Sequence, residues 1–171
     1  MNENTTYIGI DNGLSGAIAF YKPATNNMIA LPMPIIKTKK AKGMKTEYDV
    51  PQIIALLKQY SDTKLVILEK AQAFPGQGSV SMFSIGKGFG IMEGILAALG
   101  LSYQIIHPKS WQKKVFEGIA HKDTKQASVL TAQRLFPNVS FKTSERATKV
   151  SNGLTDAALM AYYGYLTHNG K

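Results

Sequence analysis

The stretch "YIGIDNGLSGAIAFY", Tyr7 to Tyr21, reads as two strands around one turn. A β-like run from Tyr7 to Asp11 meets the turn formers Asn12 and Gly13, and a second strand-like run follows from Gly16 to Tyr21. After the turn-forming segment Pro23 to Asn27, "NNMIALPM" supplies a third run, so the N-terminal part is expected to be an antiparallel meander. Its first strand ends on an acid, Asp11.

Beyond the meander, "PIIKTKKAKGMKTEYD" has no clear periodicity and many lysines, and is expected to be a mobile basic loop over about residues 35–48. Asp49 can cap a helix with Pro51 in its first turn and Ile53, Ile54, Leu56 and Leu57 on its buried face, ending near Tyr60. "KLVILEK" is a nearly continuous apolar run, as in a strand covered on both faces, and it too ends on an acid, Glu69. A Gly-rich stretch then becomes a helix from about Ser79 to Leu99, closed by Gly100. "SYQIIHP" reads as a short strand, and "PKSWQKKVFEG" and "DTKQASVLTAQRLFP" as two helices. The second of these has Asp123 as cap and Val129, Leu130, Ala132, Leu135 and Phe136 as its apolar set. "GLTDAALMAYYGYLTH" is a final amphipathic helix. Sheet, crossover helix, more sheet and then helices make an α/β pattern.

At 171 residues the chain suits one domain, 1–171, with a sizeable core. It has no cysteine, which removes disulfides, thiolate zinc sites and thiol catalysis and is compatible with a reducing cytoplasm. No leader or membrane span is read in the sequence, so a protein of the cytoplasm of a bacterial or phage-infected cell, with an organelle as the alternative, and without a membrane partner is expected. The formal charge of +9 favours a polyanionic partner. The lysines are patchy: Lys37, Lys39, Lys40, Lys42 and Lys45 crowd one segment, and Lys109, Lys113, Lys114, Lys122 and Lys125 another. Patches point to a nucleic-acid surface.

Three acids stand where a carboxylate is awkward for folding: Asp11 and Glu69 at strand ends, and Asp156 near the start of the last helix. An unpaired buried carboxylate costs several kcal/mol, so such groups reach solvent or share cations. Were the two strands neighbours, Asp11 and Glu69 would project near one sheet end, and a helix across that end would add Asp156. Such a set suits Mg²⁺, with Mn²⁺ as a substitute, and two ions about 4 Å apart are the arrangement used for phosphodiester hydrolysis. Taken singly, each acid also has an ordinary reading: turn former, surface acid, or complement to a helix N-terminus.

The ordered motifs "IGIDNGLSGAIAFY", "VILEKAQAF", "IIHPKSWQKKVFEG" with "HKDTKQASVLTAQRLFP", and "GLTDAALMAYYG" resemble the RuvC-like Holliday junction resolvases of the ribonuclease H-like superfamily, particularly phage and organellar members. The resemblance spans Tyr7 to Leu166. It implies a five-stranded mixed sheet flanked by helices. It further implies a homodimer that binds four-way or branched DNA and makes paired, Mg²⁺-dependent nicks. Asp11, Glu69 and Asp156 match three of the family's metal-binding acids. Lys109, Lys113, Lys114, Lys122 and Lys125 match its basic segment, to which Lys87 is added as a DNA contact, and Phe74 matches an aromatic that wedges into the junction.

The family usually carries a fourth acid just before the last one, and here Ser151, Asn152, Gly153, Leu154 and Thr155 offer none. Asn152 brings a carbonyl oxygen without charge. It is a natural weaker ligand, or an engineered replacement for an aspartate, or its place is taken by another acid such as Glu145. A junction binder that does not cut is therefore the alternative reading.

The remaining features have plainer readings. Gly86, Gly90 and Gly94, four apart, leave one helix face bare for packing in the core or across a dimer. They do not form a dinucleotide loop. Glu93 reads as a surface or interface acid, Trp111 as core, and His107 and His121 as structural or phosphate-contacting. "IGIDNG" alone also occurs in actin-like and sugar-kinase ATPases, but these need a second such domain and further phosphate loops, for which 171 residues leave no room, so no nucleotide cofactor is expected.

Overall fold

The computed structural model describes residues 5–41, 43–72, 76–117 and 123–170. Its main sheet holds β1 (Thr6–Asp11), β2 (Ala17–Lys22), β3 (Asn27–Pro32), β6 (Thr63–Glu69) and β7 (Tyr103–Ile106) in the order β3-β2-β1-β6-β7. The first three strands are antiparallel, as the turn chemistry requires, and β6 and β7 run parallel to β1. Parallel pairing needs a crossover, supplied before β6 by α1 (Val50–Lys58) and before β7 by α2 (Ser79–Ala98). Ile10 is in register with Leu68, so the next residues, Asp11 and Glu69, leave the sheet at the same end.

Alternation along each strand divides the core. Tyr7, Ala17, Ala19, Tyr21, Leu65 and Ile67 face α3 (Pro108–Val115), α4 (Thr124–Leu135) and α5 (Asn152–His168). Ile8, Ile10, Ile18, Phe20, Val66 and Leu68 face α1 and α2. The apolar run of β6 is thus covered on both faces. Helix α5 lies across β1 and β2 at very short range: a Cβ on Gly9 would stand 2.0 Å from Ala157 O and 2.5 Å from Ala161 N. Only glycine lets helix and strand meet there.

Several sequence readings hold in detail. Asp49 caps α1 by accepting from Gln52 N, Asp123 caps α4 by accepting from Lys125 N, and Gly100 takes a positive φ of 65° beyond α2.

Others are corrected. The expected basic loop forms a second sheet, the hairpin β4 (Ile35–Lys39) and β5 (Met44–Tyr48), with Gly43 at φ 82° in its turn; Lys42 lies outside the described residues. The hairpin was hidden because lysines occupy both of its faces and alternation is lost. On α4 the buried face is Ala127, Ser128, Thr131 and Ala132, whereas Leu130 is exposed. Ser128 bonds Thr155 and Asp156 on α5 and Thr131 donates to Ala127 O, so small polar side chains are buried there, which an apolar periodicity does not register. The α2 glycines Gly86, Gly90 and Gly94 meet nothing, and the buried glycine is Gly88, against the Tyr48 ring.

Candidate active site

Asp11, Glu69 and Asp156 are brought to one end of the sheet by three different elements. Asp11 ends β1, its Oδ1 accepting from Gly13 N at 3.3 Å in the turn that follows. Glu69 ends β6, and the indole N–H of Trp111 on α3 donates to its Oε1 at 2.9 Å. Asp156 stands in the second turn of α5, not the first, so complementing the helix N-terminus is not what places it. Ser128 Oγ, on α4, donates to Asp156 Oδ1 and lies 2.9 Å from Thr155 Oγ1. Helix and turn close over Asp11: a Cβ on Gly153 would stand 2.8 Å from Ser15 O and 3.2 Å from Asp11 Oδ2.

The electrostatics of the three acids are linked. Burial pushes Asp11 above its ordinary value, against a lowering contribution from Gly13 N–H. Burial is also the main cause that raises Glu69 to about 7; the Trp111 hydrogen bond lowers it, and the charges of Asp11 and Asp156 raise it further. Asp156 is raised to about 6 by burial, then lowered by Ser128, raised by Asp11 and lowered by Lys125. Mutual influence of this kind means the three carboxylates share one region of low dielectric. None of them forms an ion pair among the described residues.

The donor set is therefore hard oxygen with unneutralised charge, the chemistry that Mg²⁺ or Mn²⁺ takes. Among the described residues, however, no three His, Asp or Glu side chains converge closely enough to enclose an ion.

Asn152 opens α5, and its Nδ2 donates to Lys125 O at 3.1 Å, leaving Oδ1 as its one acceptor. Glu145 is exposed and does not contribute to the shifts of the three acids. In this conformation it stands apart from them.

Lys109, Lys113 and Lys114 are exposed on α3, and Lys125 is exposed on α4 close enough to act on Asp156. Lys87 stands apart from them on α2, 3.5 Å from Glu47. Phe74, His121 and Lys122 lie outside the described residues. His107 caps α3 by accepting from Lys109 N. Two residues that matter to the site carry no sequence motif. Ser128 is a small polar side chain on a buried helix face, and Trp111 is both core, as expected, and a donor to Glu69.

No protein-family model matches the chain, and no curated protein matches it. Solved structures do. The Thermus thermophilus RuvC structure aligns at TM-score 0.56 and 14% identity over 96% of each chain. T. thermophilus RuvC in complex with Holliday junction substrate aligns at 0.57 and 15% identity, over 97% of this chain and 96% of that one. The yeast mitochondrial Holliday junction resolvase Ydc2 aligns at 0.54 and 13% identity, over 97% of this chain and 81% of that one. The chain therefore has the ribonuclease H-like fold of the RuvC-like resolvases.

Proposed function

We propose that this protein is a divalent-cation-dependent endodeoxyribonuclease that resolves four-way or otherwise branched DNA by paired nicks. The observation that carries the reading is the gathering of Asp11, Glu69 and Asp156, desolvated and without an ion pair among the described residues, at the sheet end against α3 and α4, with Lys125 near enough to act on Asp156. Two Mg²⁺ ions, or Mn²⁺ in their place, would supply an activated water and stabilise the leaving oxygen. Asp11, Glu69 and Asp156 would hold them. Trp111 and Ser128 each occupy one oxygen of a ligand carboxylate and so orient the other. Lys109, Lys113, Lys114 and Lys125 hold the phosphate backbone without reading sequence. The fold shared with RuvC, whose structure includes a complex with a Holliday junction substrate, supports the choice of substrate.

A homodimer belongs to the same reading. Val80 and Phe83 on α2 are 83% and 73% exposed, Ile36 of the hairpin is exposed beside them, and the bare glycine face continues along the helix. An apolar surface of this kind marks an interface, and a second copy of the chain is the occupant that paired cutting requires. Helix α2 is also long and apolar enough to cross a membrane, but Met92, Ile95 and Leu96 complete the core. Sedimentation of the wild type and Phe83→Asp separates the two. A dimer that becomes a monomer supports the interface, and a wild-type monomer that binds vesicles overturns it.

Binding without cutting is the second reading, favoured by the neutral Asn152 and by the absence of a closed three-acid cage among the described residues. Synthetic four-way junction, flap and linear duplex, each in EDTA and in Mg²⁺, decide between them. Cutting of the junction in Mg²⁺ establishes the nuclease, whereas a mobility shift with no cutting at any Mg²⁺ concentration leaves the binder.

A further inference from the structure

We propose that the groove between the β4–β5 hairpin and the turn after Asp11 is a second nucleic-acid track, which takes the sugar–phosphate backbone of a DNA strand running past the acids. It lies on the α2 face of the sheet, away from the α3 and α4 lysines. The inference rests on the nucleic-acid reading above and adds a site on the other side of the cluster.

Strand pairing sorts the hairpin side chains. Ile35 with Tyr48, Lys37 with Thr46, and Lys39 with Met44 share one face, while Ile36 with Glu47 and Thr38 with Lys45 share the other. The first face looks onto the Asn12–Ser15 turn and the start of α2, and together they line a groove. Its polar wall is made of Lys37, Ser15, Thr46, Ser81 and Ser84, all donors to a phosphate oxygen, and among the described residues no acid lines it. Leu14, Ile35 and Ile85 supply apolar surface suited to sugars.

The charges on the two faces differ in availability. On the second face Glu47 lies 2.6 Å from Lys45 and 3.5 Å from Lys87, so those two lysines share one carboxylate and half of their charge is offset. Lys37 and Lys39 have no ion-pair partner among the described residues. An unpaired lysine gains more from a phosphate, because only counterions have to leave.

The groove is also held in fixed relation to the acids. Tyr48 donates its hydroxyl to Asn12 O, one residue from Asp11. Its ring fits only because Gly88 has no side chain: a Cβ there would stand 2.4 Å from the hydroxyl. Asp49 N donates to Pro34 O at 2.9 Å and closes the hairpin base. A strand bound in the groove would therefore be registered against Asp11.

The test is junction affinity in EDTA across a salt series for the wild type, Lys37→Ala, the double variant Lys37→Ala with Lys39→Ala, and Lys58→Ala. Lys58 is exposed at the end of α1, outside the groove. Each groove lysine removed is expected to lower the slope of log K against log salt by about 0.9, and Lys58→Ala to leave it unchanged. The chain has no cysteine, so Ser84→Cys provides a unique attachment point for a photo-crosslinker, which should capture junction DNA. Wild-type binding with an unaltered slope in the double variant and no crosslink from position 84 would overturn the groove while leaving the nucleic-acid reading intact. A wild type that binds no junction would overturn both.

Discussion

The indole N–H of Trp111 and Oε1 of Glu69 lie 2.9 Å apart, joining the chain's single tryptophan to a candidate metal ligand. The bond sits against a half-buried carboxylate, where a charge-assisted hydrogen bond contributes about 1.5–3 kcal/mol. Trp111→Phe keeps most of the packing and removes the donor. It should lower stability by about 2 kcal/mol and raise the Mg²⁺ concentration needed for half-maximal cutting, without changing junction affinity in EDTA. In the wild type, Trp111 emission should change on titration with Mg²⁺, and this response should vanish in Glu69→Gln.

The raised acids fix the sign of a pH effect. Glu69 in the metal-free fold has its pKa near 7, above the ordinary value of 4.5, so the folded state binds more protons than the unfolded chain between those values. Its contribution to stability is then fully present below the lower value and is lost as pH rises through the upper one. In EDTA, the difference in Tm between Glu69→Gln and the wild type should therefore widen in favour of the variant from pH 5 to pH 8. A difference that stays flat across this range contradicts the shift. Added Mg²⁺ should stabilise the wild type at pH 8 and lose its effect below about pH 6, where protons compete for Glu69 and Asp156.

Gly9→Ala tests the contact that sets Asp156 over Asp11. The new methyl would meet Ala157 O at 2.0 Å and Ala161 N at 2.5 Å, both backbone atoms that cannot swing aside. Overpacking of this kind costs about 3 kcal/mol, and chemical denaturation should show at least that loss.

Asn152→Asp would supply the charge that the site lacks. It would also lose the Nδ2 donor to Lys125 O and bring a fourth carboxylate near three that already raise one another. In EDTA the variant should be less stable by about 1 kcal/mol. In Mg²⁺ it should cut faster than the protein with Asn152, with the metal half-saturation shifted lower. Equal cutting by both proteins would show that position 152 is not part of the metal site.

Much of this was legible in the sequence because turns and caps act locally. Asn12-Gly13, Asp49-Pro51, Asp123 and Gly100 each placed an element boundary, and the unbroken apolar run of β6 announced a strand buried on both faces. The acids were legible as positions, since strand ends and a helix start are poor places for an unpaired carboxylate. The contacts that tune them were not. Trp111 reaches Glu69 across 42 positions and Ser128 reaches Asp156 across 28, and nothing in local spacing encodes a hydrogen bond between elements so far apart. The hairpin was missed for a different reason: it stands outside the main sheet, so its strands bury no regular face and carry no period-2 signal.

The most direct measurement is cleavage of a synthetic four-way junction in Mg²⁺ by the wild type and by Asp11→Asn, with linear duplex of the same sequence alongside. The expected result is a symmetric pair of nicks in the junction by the wild type and little cutting of the linear duplex. Asp11→Asn should bind the junction with unchanged affinity and leave it intact. Cutting by Asp11→Asn at the wild-type rate, or equal cutting of junction and linear duplex by the wild type, would contradict a junction-resolving nuclease built on Asp11, Glu69 and Asp156.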